Sequence, residues 1–170
     1  MKAYTILLTV ALACSALTAG AQGLKIGYTN AEYILSQLPE AKQIESELKT
    51  HQDQLGAQLQ SKQEELQRKL EYFQKTADTM TEVVRNDAQR ELQTMQTNIQ
   101  KFAAEADKSI KNKQLQLLSP VYEKIETNIK TVAEENGFSH VFTNSVLLYT
   151  SDENDISDLV LAKMGVSVDQ

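Results

Sequence analysis

Between Glu40 and Asn136 the apolar residues recur at helical spacing with almost no interruption. In the second half of this stretch Val84, Ala88, Leu92, Met95, Ile99, Ala103, Ala106 and Ile110 follow one another by four or three residues, and the phase continues through Leu117, Val121 and Ile125. Only a helix puts residues so spaced on one face. The steps average near an eleven-residue repeat, which tracks a nearly straight seam where a heptad would impose a left-handed supercoil. In the first half, Ile44, Leu48, Leu55, Leu59, Leu66, Leu70 and Phe73 form the matching face, with His51 and Lys62 filling two of its positions. Gln, Lys and Glu flank both stripes, so each helix buries one narrow side. Between them, residues 76–81 are a cluster of weak helix formers, and Thr79 with Glu82 makes a capping box for a new helix. The pattern therefore predicts two long antiparallel helices reversing near 76–81, the shorter arm reaching roughly 50 Å at the α-helical rise.

The ends of the chain read differently. Leu24 to Thr29 is a strand candidate with Ile26 and Tyr28 on one face, and Asn30 is placed to cap a short helix carrying Tyr33, Ile34 and Leu38. Pro39 suits the first turn of the long arm, where its missing N–H has no partner to lose. Pro120 predicts a kink in the second arm. Beyond it, Val121, Tyr122, Ile125, Ile129 and Val132 thicken the apolar face, as expected of a segment packed into a base, and Asn136-Gly137 reads as the helix stop. Phe138 to Thr143 and Val146 to Thr150, separated by Asn144-Ser145, read as a β-hairpin. Asp155 is expected to cap a closing helix whose buried face is Ile156, Leu159, Val160 and Met164. Val166 and Val168 are candidates for one more edge strand.

Residues 1–21 have the form of a secretory signal: Lys2, an apolar run from Tyr4 to Leu17, then Ala19-Gly20-Ala21 as the cleavage motif, so that the mature chain begins at Gln22. Its run is short for a membrane span. A lipoprotein leader ending at Cys14 is the alternative, although Ala11-Leu12-Ala13 matches the lipobox poorly. Cys14 is the one cysteine, so the mature chain carries neither disulfide nor thiol chemistry.

The charge is −6 over the whole chain, and −7 once Lys2 leaves with the leader. An acidic protein is a poor partner for nucleic acid or anionic lipid, both of which are bound by neutralising phosphates with Lys and Arg. Lys101, Lys108, Lys111 and Lys113 form a loose basic stretch, diluted by Glu105 and Asp107. No catalytic motif is present: the two histidines are remote in sequence, no glycine-rich loop enters a helix, and the carboxylates are interleaved with cations on solvated faces. His51 has Leu48 and Leu55 three and four residues away and no metal-ligating neighbour on its face; His140 lies between Phe138 and Phe142. Both read as structural. No cofactor or metal is expected.

The terminal segments alone are too small to bury a self-sufficient core. Short strands with apolar faces and unpaired edges are covered economically by other copies of the chain. The expected fold is α+β and mostly α, with a helical hairpin at 40–131 inserted into a β-rich oligomerisation body built from 22–39 and 132–170. Ile26, Tyr28, Phe138, Val141, Phe142, Leu147 and Tyr149 are the candidate residues of that body.

This order of parts resembles the Skp/OmpH family of periplasmic outer-membrane-protein chaperones. The resemblance is carried by the Lys25-Ile26-Gly27-Tyr28-Thr29-Asn30 opening with its short helix to Pro39, the Gln-rich hairpin, the pair of runs from Phe138 to Tyr149, and the closing Asp155-Ile156-Ser157-Asp158-Leu159-Val160. It implies a homotrimer whose three helical tentacles hold unfolded β-barrel proteins in a cavity without ATP: a holdase, not an enzyme. Phe73, Met80, Val83, Met95 and Phe102 are the candidate client contacts, and Pro120 the candidate hinge. The family's better-known tentacles are basic, whereas residues 40–135 here carry 14 basic and 17 acidic side chains. Direct membrane or lipopolysaccharide contact is accordingly not expected. The competing reading is a periplasmic adaptor, a coiled-coil spacer docking a fixed partner through the tip of its hairpin.

Overall fold

The computed structural model describes residues 24–167; the leader, Cys14 and Val168 lie outside the described residues. Strand β1 (Ile26–Thr29) leads into helix α1 (Ala31–Gln37), then α2 (Pro39–Thr76), a 3-10 turn (Ala77–Thr79), α3 (Glu82–Glu135), strand β2 (His140–Thr143) and, after two further 3-10 turns, helix α4 (Ser157–Lys163). The architecture is the mostly helical α+β fold expected, with α2 and α3, of 38 and 54 residues, folded back on each other. At 1.5 Å per residue they extend about 57 and 81 Å.

The local chemistry of the helix ends explains their positions. The Asn30 side-chain oxygen accepts from the N–H groups of Glu32 and Tyr33, capping α1. Pro39 occupies the first turn of α2. At the reversal, Thr81 is the cap of α3, its hydroxyl accepting from Val84 N at 3.5 Å. The capping box expected at Thr79 is not formed, because Thr79 is drawn into the 3-10 turn, where its hydroxyl donates to Thr76 O. Arg85 closes the turn by donating from Nε to Ala77 O at 3.1 Å. Helix α3 ends at Asn136, followed by Gly137 in the left-handed region at φ 69°.

Four sequence expectations at the base are corrected. Phe138–Thr143 and Val146–Thr150 do not form a hairpin: β2 pairs in parallel with β1, setting Ile26 opposite His140 and Tyr28 opposite Phe142. Asn144–Val146 is a 3-10 turn, and among the described residues the sheet has two strands, extended by a bridge between Tyr28 and Asp155. A parallel pair needs a long crossover, and the inserted hairpin supplies it. Asp155 precedes α4 by two residues; its carboxylate accepts from Ser157 N at 2.8 Å while Ile156 takes the cap position. The buried face of α4 is Ile156, Val160 and Leu161, with Leu159 47% exposed. Val166 forms no strand. Its N–H donates to Leu161 O and its side chain packs on the core.

Helix α3 runs unbroken through Pro120, which faces solvent. The ring removes one donor from the helical ladder and leaves the carbonyl four residues earlier without its helical partner.

The core sits where α1, α4 and the roots of α2 and α3 meet: Ile34, Leu38, Ile44, Val121, Ile125, Val132, Ile156, Val160 and Leu161. Gly27 is needed there, since a Cβ would lie 2.9 Å from the Phe138 ring and 3.3 Å from Asn154 O. Past Ile44 no residue of α2 is fully buried, and in α3 only Ala106 is buried away from the root. The hairpin is held by a thin seam on a compact base.

Candidate functional site at the hairpin tip and the body face

The seam alternates apolar contacts with polar links between the arms. His51 Nε2 and Ser109 Oγ lie 2.9 Å apart, and the Lys62 ammonium sits 5.3 Å above the centre of the Phe102 ring. These are the two polar residues that interrupt the first stripe, and each meets α3. Ion pairs join Lys69 to Glu91, Lys113 to Glu47 at 3.7 Å and Lys124 to Glu40 at 2.7 Å. Hydrogen bonding from Lys124, with a backbone hydrogen bond second, holds the Glu40 carboxyl below the ordinary glutamate range. In the base, the Tyr33 phenol is pushed up, first by loss of solvent and then by its hydrogen bond to Asp158, 3.2 Å away.

Toward the tip the arms enclose an open cleft of about 630 Å³, lined by Tyr72, Phe73, Met80, Val84 and Leu92 and rimmed by Arg68, Lys69, Asp87 and Glu91 among others. Of the five candidate client contacts, the cleft brings together Phe73 and Met80. Val83 lies beside it, 71% exposed. Met95 and Phe102 are half-buried in the seam further down α3, and Lys62 covers the Phe102 ring. Sequence reasoning passed over Tyr72, 65% exposed, and read Val84 as a seam residue and not as a contact. The signal for Tyr72 was its place one residue before Phe73, off the seam and with no packing duty.

The second apolar surface is on the base. Tyr28 is buried, Phe138 and Val141 pack on the core, and Leu147 is half-buried. Ile26 and Phe142 face outward, and Leu148 and Tyr149 stand almost wholly in water. Among the described residues no group of three or more His, Cys, Asp or Glu is placed to hold a metal ion, and no helix is long and apolar enough to cross a membrane.

Two helices standing as an arm on a small α/β base, with apolar surface at the tip and on the base, define a tentacled binding protein. The chain belongs to the OmpH-like outer membrane protein family, whose model matches residues 25–164. Its curated relatives are chaperones rather than enzymes. Chaperone protein Skp of Yersinia enterocolitica is 28% identical over 172 residues, covering 96% of this chain and 99% of that protein. Chaperone protein Skp of Photorhabdus luminescens is 27% identical over 154 residues, covering 88% and 91%. Among solved structures, an OmpH-like protein of Caulobacter crescentus CB15 superimposes with a TM-score of 0.73 over 86% of this chain and 87% of that one, at 19% identity, and so shares the fold.

Proposed function

We propose that the chain is an ATP-independent periplasmic holdase that binds unfolded outer-membrane β-barrel proteins. In this reading residues 1–21 are the secretory signal, and residues 22–39 and 132–170 form the body of a homotrimer. Residues 40–131 are the tentacle, so that three hairpins surround one cavity. The observation that carries the reading is the contrast between the two ends of the molecule. The base buries a full apolar cluster, whereas the arms past Ile44 and before Leu117 bury almost none. A thinly packed arm leaves half-exposed apolar groups along its length, suited to many weak contacts with an unfolded chain and to none that fixes one partner. Phe73, Met80, Val83, Met95 and Phe102 serve as client contacts, joined by Tyr72 and Val84 of the tip cleft. Pro120 serves as a hinge at the root of the arm, where the helical ladder lacks a bond.

The test is light scattering from an unfolded outer-membrane barrel diluted out of denaturant. The mature protein is expected to suppress aggregation at about one trimer per client, without nucleotide; aggregation undiminished at stoichiometric amounts overturns the proposal. The tip cleft gives the adaptor reading its one specific support, since a fixed partner could dock there. Replacing residues 75–87 by a neutral loop separates the two, because a holdase keeps most of its activity and an adaptor loses all of it.

A further inference from the structure

The chain has two histidines, and one of them stands on the exposed face of the base. His140 opens β2 opposite Ile26, its ring stacked on Phe142 with centroids 6.4 Å apart and 11° between the planes. Ile26 and Phe142 are 42% and 41% exposed. This face adjoins two sets of unmet backbone groups. Strand β2 pairs only with β1 among the described residues, leaving its outer edge free. In residues 147–150, which follow the Asn144–Val146 3-10 turn and carry the fully exposed Leu148, the one backbone N–H that donates to another backbone group among the described residues is that of Leu147, to Asn144 O. A free strand edge and an unpaired apolar run on one chain are complementary between copies, each supplying what the other lacks.

We propose that His140 makes self-association of the body pH-sensitive: the neutral ring is covered by the neighbouring copy, and its protonation drives the copies apart. The proposal rests on the homotrimer reading above. An imidazole changes charge between about pH 5 and 8; a neutral ring stacked on Phe142 suits a buried apolar face, whereas an imidazolium needs a counter-charge there. None is supplied. The same sheet face carries Ile26, Tyr28 and Phe142 and no charged side chain, and β2 itself has none. Lys25, just before β1, is occupied elsewhere, donating to Asn136 O and lying over the Phe138 ring. Asp155, on the far edge of β1, accepts from Ser157 N. Glu135, at the end of α3, is paired with Lys163, and Asp158 with the Tyr33 hydroxyl. With one such ring per subunit, dissociation takes up as many as about three protons per trimer, so the equilibrium moves steeply with pH.

Sedimentation equilibrium of the mature chain at pH 8.0 and pH 5.5, with circular dichroism to monitor folding, tests this. The expected result is a trimer at pH 8.0 and association at least tenfold weaker at pH 5.5. His140→Gln and His140→Leu should each assemble with the same strength at both values. His51→Gln, which removes the other histidine, should keep the full pH dependence. His140→Lys should associate weakly even at pH 8.0. Equal wild-type trimers at both values, or pH dependence surviving in the His140→Gln and His140→Leu variants, overturn the proposal and leave the trimer standing. A wild-type monomer at pH 8.0 overturns the trimer reading itself.

Discussion

His51 and Ser109, 58 residues apart in the chain, meet across the hairpin with Nε2 and Oγ separated by 2.9 Å. The contact is half-buried, on a mostly apolar seam, and it fixes the register of one arm against the other part-way along the hairpin. A double-mutant cycle of His51→Ala and Ser109→Ala should give a coupling of about 0.5–1.5 kcal/mol, the net worth of a typical intramolecular hydrogen bond. Additive single-mutant losses in urea unfolding would show that the two arms do not communicate through this pair.

Gly27 tests the close approach of β1 to Phe138. Gly27→Ala places a methyl 2.9 Å from the ring and 3.3 Å from a backbone carbonyl, and the overpacking should cost about 1–3 kcal/mol. The variant Phe138→Leu should recover part of that loss in the Gly27→Ala background, measured as the denaturant midpoint. Recovery is expected because the crowding atoms belong to the ring.

The contrast between base and arm predicts unequal costs for like substitutions. Ile125→Ala and Leu161→Ala, 1% and 0% exposed, should each lose about 2–5 kcal/mol. Ile99→Ala, on the half-buried seam, should lose less than half as much. Equal losses at Ile99 and Ile125 would contradict the thin-seam description.

Gly56 lies inside α2 with nothing within 4 Å of where a Cβ would be. Gly56→Ala should therefore raise stability by about 0.5–1 kcal/mol through helix propensity alone, seen as a higher melting temperature. If the soft arm matters for enclosing clients, the same variant should slow client capture while stabilising the fold.

The Glu40 carboxyl, held below the ordinary value of 4.5 by Lys124, contributes stability that is present above that pH and lost as pH falls through the lower folded value. Because both side chains are more than a third exposed, 37% and 49%, the contribution should be under about 1 kcal/mol. An NMR titration should place the Glu40 midpoint below 4.5 in the wild type and return it toward 4.5 in Lys124→Met.

The hairpin was legible because periodicity is local. The four-and-three spacing from Val84 to Ile125, Asn30 and Pro39 at helix starts, and Asn136-Gly137 at the stop each act within one or two turns of backbone, and all are seen where the sequence places them. The capping residue at the tip was misplaced by two, since the local capping-box signal of Thr79 with Glu82 is overridden by the 3-10 turn that Arg85 closes from eight residues away, which leaves Thr81 as the cap.

What the sequence by itself determined, then, is the mostly helical architecture: two long amphipathic arms between short end segments, without a cysteine after Cys14 and with an acidic surface. What only the tertiary structure decided is how the ends combine. The runs around Phe142 and Leu148 are both rich in β-branched and aromatic residues, yet one pairs with β1 more than a hundred residues away and the other has no strand partner among the described residues. Propensity measures fit to a pleated surface and carries no address; the address is set by the two arms returning to the same point. The same holds for Leu161 displacing Leu159 from the core and for Tyr72 joining Val84 at the tip. Those outcomes depend on which surfaces the fold brings together, and a hydrophobic residue at the right spacing does not encode its partner.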